Sequence, residues 1–388
     1  MATLLSNLNS LINDRRRDST SDAVDMTTDG FRAIDSALEI WNQLHDWPWQ
    51  IETSTFNYHQ GIETYAAPTR FKAPVRLVPT KNTSTKMKYL SQNSFESKTL
   101  YSNRFAIATK DLKQRLKVKY SGGSNMLLHA LTSLTDNGTI AGATAISNLS
   151  IDDYEGFEQN SSLKFDYSGT SGTITITGIS AIDLTQYKDR SAVYLTYYPT
   201  NVTNLTSLSI KLGSDAGNYY SISATTDYLG DGLIANTWNR IKFDWANSST
   251  TGTPNIAAID YIQITIAFSV DPTNTADRLE NLFIAENIPM TFEHYTTNMV
   301  YDVSGTTKIA AFNDASATTD YPLWSGDWDY ATEPFVNSVL EYIFFMTGEF
   351  NERSLVSENI MKWVEPLRDR LPSKRLKIEF QIVPDINL

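Results

Sequence analysis

Apolar side chains recur with a helical period near the start of the chain and with a strand period through much of the rest. Phe31, Ile34, Leu38 and Trp41 follow one another at steps of three, four and three, so they share one face of a predicted helix over 25–44. The segments 46–79 and 86–119 place β-branched and aromatic residues between prolines and glycines. They predict short antiparallel strands after that helix.

The middle of the chain differs from both ends in composition and in the spacing of its apolar residues. From about residue 125 to 285, Thr, Ser, Gly and Asn dominate, and short alternating runs recur at intervals of about a dozen residues, each bounded by turn residues. Examples are SLKFDYS, GTITITG, AVYLTYY, SLSIKLGS, NRIKFDW and DYIQITIAF. This pattern predicts a β-sandwich or jelly roll.

Helical periodicity returns toward the end of the chain. Pro334 begins a predicted helix with a broad apolar face, and a second helix is predicted over 352–371. In the tail that follows, apolar and polar residues alternate, which is typical of a terminal strand or docking arm. We therefore expect an α+β fold interrupted by an all-β insertion. The predicted parts are 1–124, the inserted sandwich 125–286, and 287–388.

Charge is distributed unevenly over these parts. The 388 residues include no cysteine and carry a net charge of −12, which excludes disulfides and thiolate sites. Residues 1–120 hold 17 basic and 12 acidic side chains, whereas residues 121–285 hold 7 and 16. The basic surplus allows a local cationic face, for which the candidates are Lys110, Lys113, Arg115, Lys117 and Lys119. The run Arg15–Arg17 is interpreted as a solvated arm, with contact to DNA as the alternative.

Signals for catalysis are weak. The four histidines have no metal-site spacing, and nucleophile-elbow, Walker and dinucleotide-binding motifs do not occur. We expect a non-enzymatic protein without a cofactor, although a glycosidase carboxylate pair stays open because linear sequence does not show it. A structural calcium bound by Asp152 or Asp153 with Glu280 is a further hypothesis. The most apolar run, 339–346, includes Glu341 and is too short to span a membrane.

Aromatic residues in the middle segment offer a second kind of chemistry. Flat rings stack on sugars, and the candidates are Tyr197, Tyr198, Tyr219, Tyr220, Trp238 and Trp245. Strand alternation favours Ile241, Phe243 and Trp245 facing the core with Trp238 at the strand edge. The predicted glycan platform is therefore Trp238, Tyr219 and Tyr220.

Three tryptophans lie close together in the sequence after the first predicted helix. Trp41, Trp47 and Trp49 are read as packing in the core or between subunits. An aromatic binding patch is the alternative.

Several motifs in the flanking parts resemble a known family. A W-x-W segment at Trp47–Trp49, a Y-x-x-P-x-x-F segment at 65–71, an L-x-x-x-S-x-x-x-F-like segment at 90–95 and the helix text FVNSVLEYIFFMTGEFNE resemble the head-to-tail adaptor, or connector, proteins of tailed bacteriophages. The middle segment is similar to carbohydrate-binding sandwiches in its W-N-x-I-x-F and I-D-Y-I-Q-I strands.

The resemblance implies a structural virion protein. Such a protein is assembled in the host bacterial cytoplasm and forms a homo-oligomeric ring, expected to be dodecameric, in the neck of the virion. Its implied partners are the portal protein and tail or neck proteins, with genomic DNA passing through the channel, no membrane, and the sandwich projecting outward. In such a ring, the basic face would line the channel or pair with a neighbouring subunit. The alternative is a virion surface or tail-fibre protein that binds a host glycan.

Overall fold

The computed structural model describes residues 11–12, 29–85, 87–96, 103–110, 112–301, 308–309, 321–322, 331–347, 367–368 and 371. The chain separates into two compact units. Unit 1 comprises 1–56, 67–91 and 290–388, and unit 2 comprises 57–66 and 92–289. Residues 57–66 and 92–124 group with the sandwich in unit 2. The predicted division of the chain at 125–286 stays a prediction.

Strands make up most of the described chain. The helices are α1 (Asp29–Leu44), α2 (Gln92–Glu96) and α3 (Thr332–Thr347). The strands are β1 (Ile51–Tyr58), β2 (Thr64–Ala66), β3 (Phe71–Pro79), β4 (Lys88–Tyr89), β5 (Arg104–Lys110), β6 (Lys113–Lys119), β7 (Asn125–His129), β8 (Thr139–Asp152), β9 (Ser162–Ile182), β10 (Ser191–Tyr198), β11 (Leu205–Asp215), β12 (Asn218–Ala224), β13 (Asn239–Phe243), β14 (Ser249–Thr251), β15 (Ile259–Phe268), β16 (Asn274–Glu286), β17 (Ile288–Thr296), β18 (Val300–Tyr301), β19 (Lys308–Ile309) and β20 (Tyr321–Pro322).

Unit 1 combines helices with a small sheet. Its sheet has the order β1-β17-β3, and α1 and α3 contribute to one hydrophobic core. Trp41 is fully buried in α1, lies 5.5 Å edge-on from Phe335 of α3, and donates its indole N–H to Ser338 Oγ at 2.8 Å. Trp47 stacks on Trp41 at 5.2 Å and on Trp49 at 4.9 Å. These rings form core, so the packing interpretation is confirmed.

Unit 2 is dominated by the predicted β-sandwich, which the structure confirms. Strand β9 is long enough to serve both layers: Leu163–Tyr167 pairs with β16, and Ser171–Ile182 pairs with β15. The first layer has the order β13-β10-β16-β9, and the second has the order β9-β15-β11-β12-β14. The strand periodicity of two sends alternate side chains inward, where fully buried isoleucines such as Ile210, Ile241 and Ile264 form one core.

Alternation along β13 decides which of its residues reach this core. Ile241, Phe243 and the following Trp245 are fully buried, as the sequence predicts. A smaller hairpin of β5 and β6, extended by β2 on the β6 side, also belongs to unit 2.

Some expectations concern residues that the structure does not describe. The arm at 15–17, most of the predicted helix over 352–371 and the alternating tail after 371 lie outside the described residues. Within the described chain, no helix combines the length and apolar character that a membrane crossing requires. The predicted helices at 25–44 and from about 333 are confirmed as α1 and α3 over their described parts.

Candidate functional site

The three residues of the predicted glycan platform occupy different places. Tyr219 and Tyr220 are neighbours in β12, so their side chains point to opposite faces of the second layer. Tyr220 packs against the core and lies 5.6 Å edge-on from the buried Trp245. Trp238 precedes β13 in the first layer, and strand β13 separates it from Trp245. The structure therefore does not bring Trp238 together with the two tyrosines.

Trp238 instead belongs to an aromatic cluster on the outer surface of the first layer. Its ring lies 5.4 Å from that of Tyr198, edge-on, and 6.3 Å from that of Phe157. Trp238 and Tyr198 are half-buried, and Phe157 is 47% exposed. We call Trp238, Tyr198 and Phe157 the aromatic platform. Exposed rings on a sheet surface can stack on a flat apolar ligand face.

Hydrogen bonds to backbone groups hold the loop that carries Trp238. The amide side chain of Asn239 donates to the carbonyls of Ile234 at 2.9 Å and Thr237 at 2.7 Å, and accepts the N–H of Ile234 at 2.9 Å. The N–H of Asn236, a residue with φ of 54°, donates to the carbonyl of Pro199 at 2.7 Å. The bond from Asn236 to Pro199 ties the Trp238 loop to the residue that follows Tyr198, which fixes the two rings relative to each other.

One arginine borders the platform beside Tyr198. The guanidinium of Arg278 lies 5.3 Å from the Tyr198 ring and donates to one carboxylate oxygen of Asp152 at 3.0 and 3.2 Å. Partial burial works to raise the pKa of Asp152, but hydrogen bonds from the Tyr154 amide and from Arg278 hold that pKa below its ordinary value. Asp152 is therefore ionised at neutral pH and neutralises Arg278.

A second arginine borders the platform beside Phe157. The guanidinium of Arg240 lies 5.0 Å from the Phe157 ring and donates to the carboxylate of Glu158. The Arg240 side chain is 11% exposed and that of Glu158 is 45% exposed. The platform is thus framed by two ion-paired guanidinium groups, which offer hydrogen-bond donors and acceptors beside apolar rings.

Tyr219 lies on the outer face of the second layer, away from the core. It stands in a row with Gly213 and Tyr261 across three strands. The Lys211 ammonium lies 4.3 Å from the Tyr219 ring, and hydrogen bonds with Thr251 and Lys211 lower the Tyr219 pKa. The rest of this face carries mainly Ser and Thr side chains, which is ordinary for a solvated strand surface.

The predicted basic face is largely paired within unit 2. Lys113 and Arg115 both bind Asp231, at 2.5 and 2.6 Å. Lys117 pairs with Glu96, and Lys119 pairs with Glu63 at 2.6 Å. Lys110 lies opposite Lys113 in the hairpin, and its side chain lies outside the described residues. These four cations therefore already have carboxylate partners, which reduces the charge available to DNA.

The predicted calcium ligands make other interactions. Asp152 binds Arg278, and the fully buried Glu280 accepts backbone N–H groups from Phe157, Glu158 and Gln159. No group of three or more His, Asp or Glu side chains suited to a metal ion occurs within the described part of the chain.

Sequence reasoning missed two rings of the aromatic platform and the charged residues beside it. Phe157 lies in the acidic segment DDYEGFE, which was interpreted only as a source of carboxylates. An aromatic residue within so acidic a segment is the sequence signal that pointed to an exposed ring. Tyr198 was among the candidate aromatics but not among the chosen three. Arg278 and Glu280 reach the platform through the β10-β16 pairing, which linear sequence does not reveal.

Comparison with known proteins gives only distant similarities. No family model matches the sequence, and no curated protein matches it. Among solved structures, the chain is similar to the family 30 carbohydrate-binding module of a cellulosomal cellulase of Clostridium thermocellum, at 8% identity over 43% of this chain and 96% of that module, with a TM-score of 0.29.

Two further solved structures are similar at the same level. A carbohydrate-binding module of Caldicellulosiruptor saccharolyticus in complex with mannohexaose is 12% identical over 41% of this chain and 96% of that one, with a TM-score of 0.28. An exo-beta-agarase is 10% identical over 43% of this chain and 26% of that one, with a TM-score of 0.31. What this chain binds therefore has to be argued from its own side chains.

Proposed function

We propose that unit 2 binds carbohydrate through the aromatic platform. The observation that supports this most is the contact of Trp238 with Tyr198 and Phe157 on an outer sheet surface, outside the apolar core. Pyranose rings present flat C–H faces that stack on aromatic side chains, and their hydroxyls hydrogen-bond to neighbouring charged groups. Arg278 with Asp152 and Arg240 with Glu158 supply such groups at the rim.

The charge of this region favours an uncharged glycan. Each platform arginine is already neutralised by a carboxylate, and residues 121–285 hold 16 acidic against 7 basic side chains. An anionic polysaccharide would approach a surface of like charge. We therefore propose a neutral polysaccharide with exposed hydroxyls as the ligand class.

The same geometry favours binding without hydrolysis. A glycosidase acid requires a carboxyl group whose pKa is raised. The pKa of Asp152 is held below its ordinary value, and Glu158 is bound to Arg240. The two acids at the rim of the platform, Asp152 and Glu158, thus serve as partners of arginines.

Affinity electrophoresis of the full chain tests this proposal. Native gels containing hydroxyethyl cellulose, galactomannan or agarose are compared with a gel containing alginate, which is anionic. We expect retardation by at least one neutral polymer and none by alginate. Trp238→Ala should abolish the retardation, and Tyr219→Ala, which removes a ring from the second layer, should leave it unchanged.

The proposal fails if all neutral gels leave the wild-type mobility unchanged. It also fails if Tyr219→Ala abolishes retardation while Trp238→Ala preserves it, because the ligand would then bind the second layer. Retardation by alginate alone would reverse the assignment of ligand charge.

Unit 1 suggests a second, compatible function, that of a ring-forming connector in a phage neck. The observation that favours it is an apolar pair on the outer face of α1: Ile40 and Leu44, one turn apart, are each 48% exposed, although the opposite face is buried against α3. Such a pair suits contact with a neighbouring subunit in a closed ring. The resemblance to adaptor proteins supports the same role, with the sandwich as a glycan-binding decoration of the ring.

The mass of the full chain in solution tests this second function. Light scattering should give a closed oligomer, either alone or after mixing with portal rings, and Ile40→Glu with Leu44→Glu should prevent it. A monomer that does not bind portal rings would refute the connector role and leave the glycan proposal intact.

A further inference from the structure

Behind the platform, one acidic side chain is completely buried. Glu280 of β16 is 0% exposed and stands opposite Thr196 of β10 on the outer side of the first layer. A carboxylate out of water is costly unless hydrogen bonds replace its hydration. The interactions of Glu280 therefore indicate what it does for the fold.

Three successive backbone amides converge on this carboxylate. One oxygen accepts the N–H of Phe157, and the other accepts the N–H of Glu158 at 2.9 Å and of Gln159 at 2.7 Å. The side-chain amide of Asn281 also donates to Glu280, at 3.2 Å. A run of adjacent N–H groups around one anion is a concave backbone site, here filled by a carboxylate of the chain itself.

The loop that supplies these amides also carries the exposed ring of the platform. Residues 153–161 connect β8 to β9 and have no strand or helix of their own. Within them, Phe157 faces Trp238, and Glu158 binds Arg240 and accepts the Asn281 amide at 2.8 Å. The bonds to Glu280 thus fix a residue of the platform and a residue of its rim at once.

Gly156 shows how closely this loop fits against the carboxylate. A Cβ atom at position 156 would lie 1.9 Å from the carbonyl oxygen of Gln159 and 3.1 Å from a carboxylate oxygen of Glu280. The first distance is far below van der Waals contact, so only glycine allows the loop to close over Glu280. The close approach is independent of the hydrogen bonds and indicates the same closed position.

We infer that Glu280 is the positioning residue of the aromatic platform: its buried carboxylate holds the 153–161 loop so that Phe157 lies against Trp238 and Glu158 neutralises Arg240. The consequence for sugar binding rests on the proposed function. The consequence for the loop does not, and it can be measured in the free protein.

The first experiment measures hydrogen exchange of the full chain without ligand. Glu280→Gln replaces one acceptor oxygen by an N–H₂ group, which opposes the converging amides. Exchange at residues 157–159 should accelerate at least tenfold, with the amides of β10 and β15 unchanged. Glu286→Gln, at the other end of β16, is the matched control and should leave residues 157–159 protected.

Gly156→Ala is a second variant that keeps Glu280 itself intact. The added Cβ would clash with the Gln159 carbonyl, which displaces the same loop and should produce the same local increase in exchange. It serves the test if Glu280→Gln fails to fold. Unchanged exchange at 157–159 in a folded variant of either kind would overturn the inference.

The second experiment measures retention by the neutral polymer that retards the wild type. Glu280→Gln and Phe157→Ala should each weaken retention about tenfold, and the double variant should lose clearly less than the sum of the two single losses, because Glu280 acts in part through Phe157. Fully additive losses would overturn the inference. If the wild type is retained by no polymer, the proposed function fails, while the exchange experiment still decides the role of Glu280.

Discussion

The indole of Trp238 meets the phenol ring of Tyr198 edge-on at the end of β10, with the ring centroids 5.4 Å apart. Edge-to-face aromatic pairs contribute about 0.5–1.5 kcal/mol beyond their buried area. Both rings are half-buried, so the pair is rigid yet accessible. This is the arrangement on which we base the proposed sugar contact.

A first prediction concerns Tyr198. Tyr198→Ala should weaken binding of the retained polymer about tenfold, or about 1.4 kcal/mol, because it removes one ring and the support of Trp238. Tyr198→Phe preserves the ring and should stay within about twofold. Titration calorimetry with the full chain measures both, and equal losses in the two variants would assign the effect to the hydroxyl.

A second prediction uses the buried His59. Its Nε2 lies 2.6 Å from the amide oxygen of Asn287, and its Nδ1 is buried without a partner in the described chain. Burial and the nearby Lys242 lower the His59 pKa to about 4. At His59, the folded state binds fewer protons than the unfolded state. The contribution of His59 to the free energy of unfolding is therefore complete above pH 6.5 and is lost as the pH falls through about 4. The loss should total about 3 kcal/mol.

Urea unfolding at pH 7, 5.5 and 4.5 measures this dependence. His59→Gln retains a donor for Asn287 and should flatten the slope below pH 6.5, whereas His45→Gln, in unit 1, should not change the transition of unit 2. An unchanged slope in His59→Gln would show that protonation of His59 is not the cause.

A third prediction concerns the buried carboxylate of Asp277. It accepts the Tyr197 hydroxyl at 2.7 Å, the Thr200 amide at 2.7 Å and hydroxyl at 2.8 Å, and the Asn274 amide at 2.9 Å. Asp277→Ala should destabilise unit 2 by about 3 kcal/mol because it leaves four buried hydrogen-bond donors without an acceptor. Asp277→Asn keeps one acceptor oxygen for Thr200 and should cost clearly less.

The pH dependence of Asp277 has the opposite sign to that of His59. Burial raises the Asp277 pKa, so the folded state holds its proton to higher pH than the unfolded state. Its contribution to stability therefore falls as pH rises from the ordinary value of 3.8 through the raised value. Denaturant unfolding of Asp277→Asn should lack that decline. Equal costs of the Ala and Asn variants would contradict the hydrogen-bond account.

A fourth prediction concerns the paired basic face. Lys113→Glu with Arg115→Glu should lower the unfolding temperature of unit 2 at low salt, because both side chains bind Asp231. The addition of Asp231→Lys should restore part of the loss, and 0.5 M NaCl should reduce all differences. No restoration by the third change would mean that these cations act through other partners.

Most residues of the sandwich core could be predicted from the sequence, whereas the aromatic platform could not. Alternation along β13 correctly assigned Ile241, Phe243 and Trp245 to the core because a strand period is local. The same rule, applied to β12, would have separated Tyr219 from Tyr220 in advance. The contact of Phe157 with Trp238 joins residues 81 positions apart in the sequence. It depends on strand order and on Glu280, which no local pattern encodes.

Direct binding of oligosaccharides to the full chain tests the central claim. An array of neutral and acidic oligosaccharides, probed in parallel with the wild type, Trp238→Ala and Tyr219→Ala, measures ligand class and site together. We predict that neutral ligands bind the wild type and Tyr219→Ala alike and that Trp238→Ala loses this binding. Equal binding by the wild type and Trp238→Ala, or binding by none of the three proteins, would contradict the assignment of the aromatic platform as a carbohydrate-binding site.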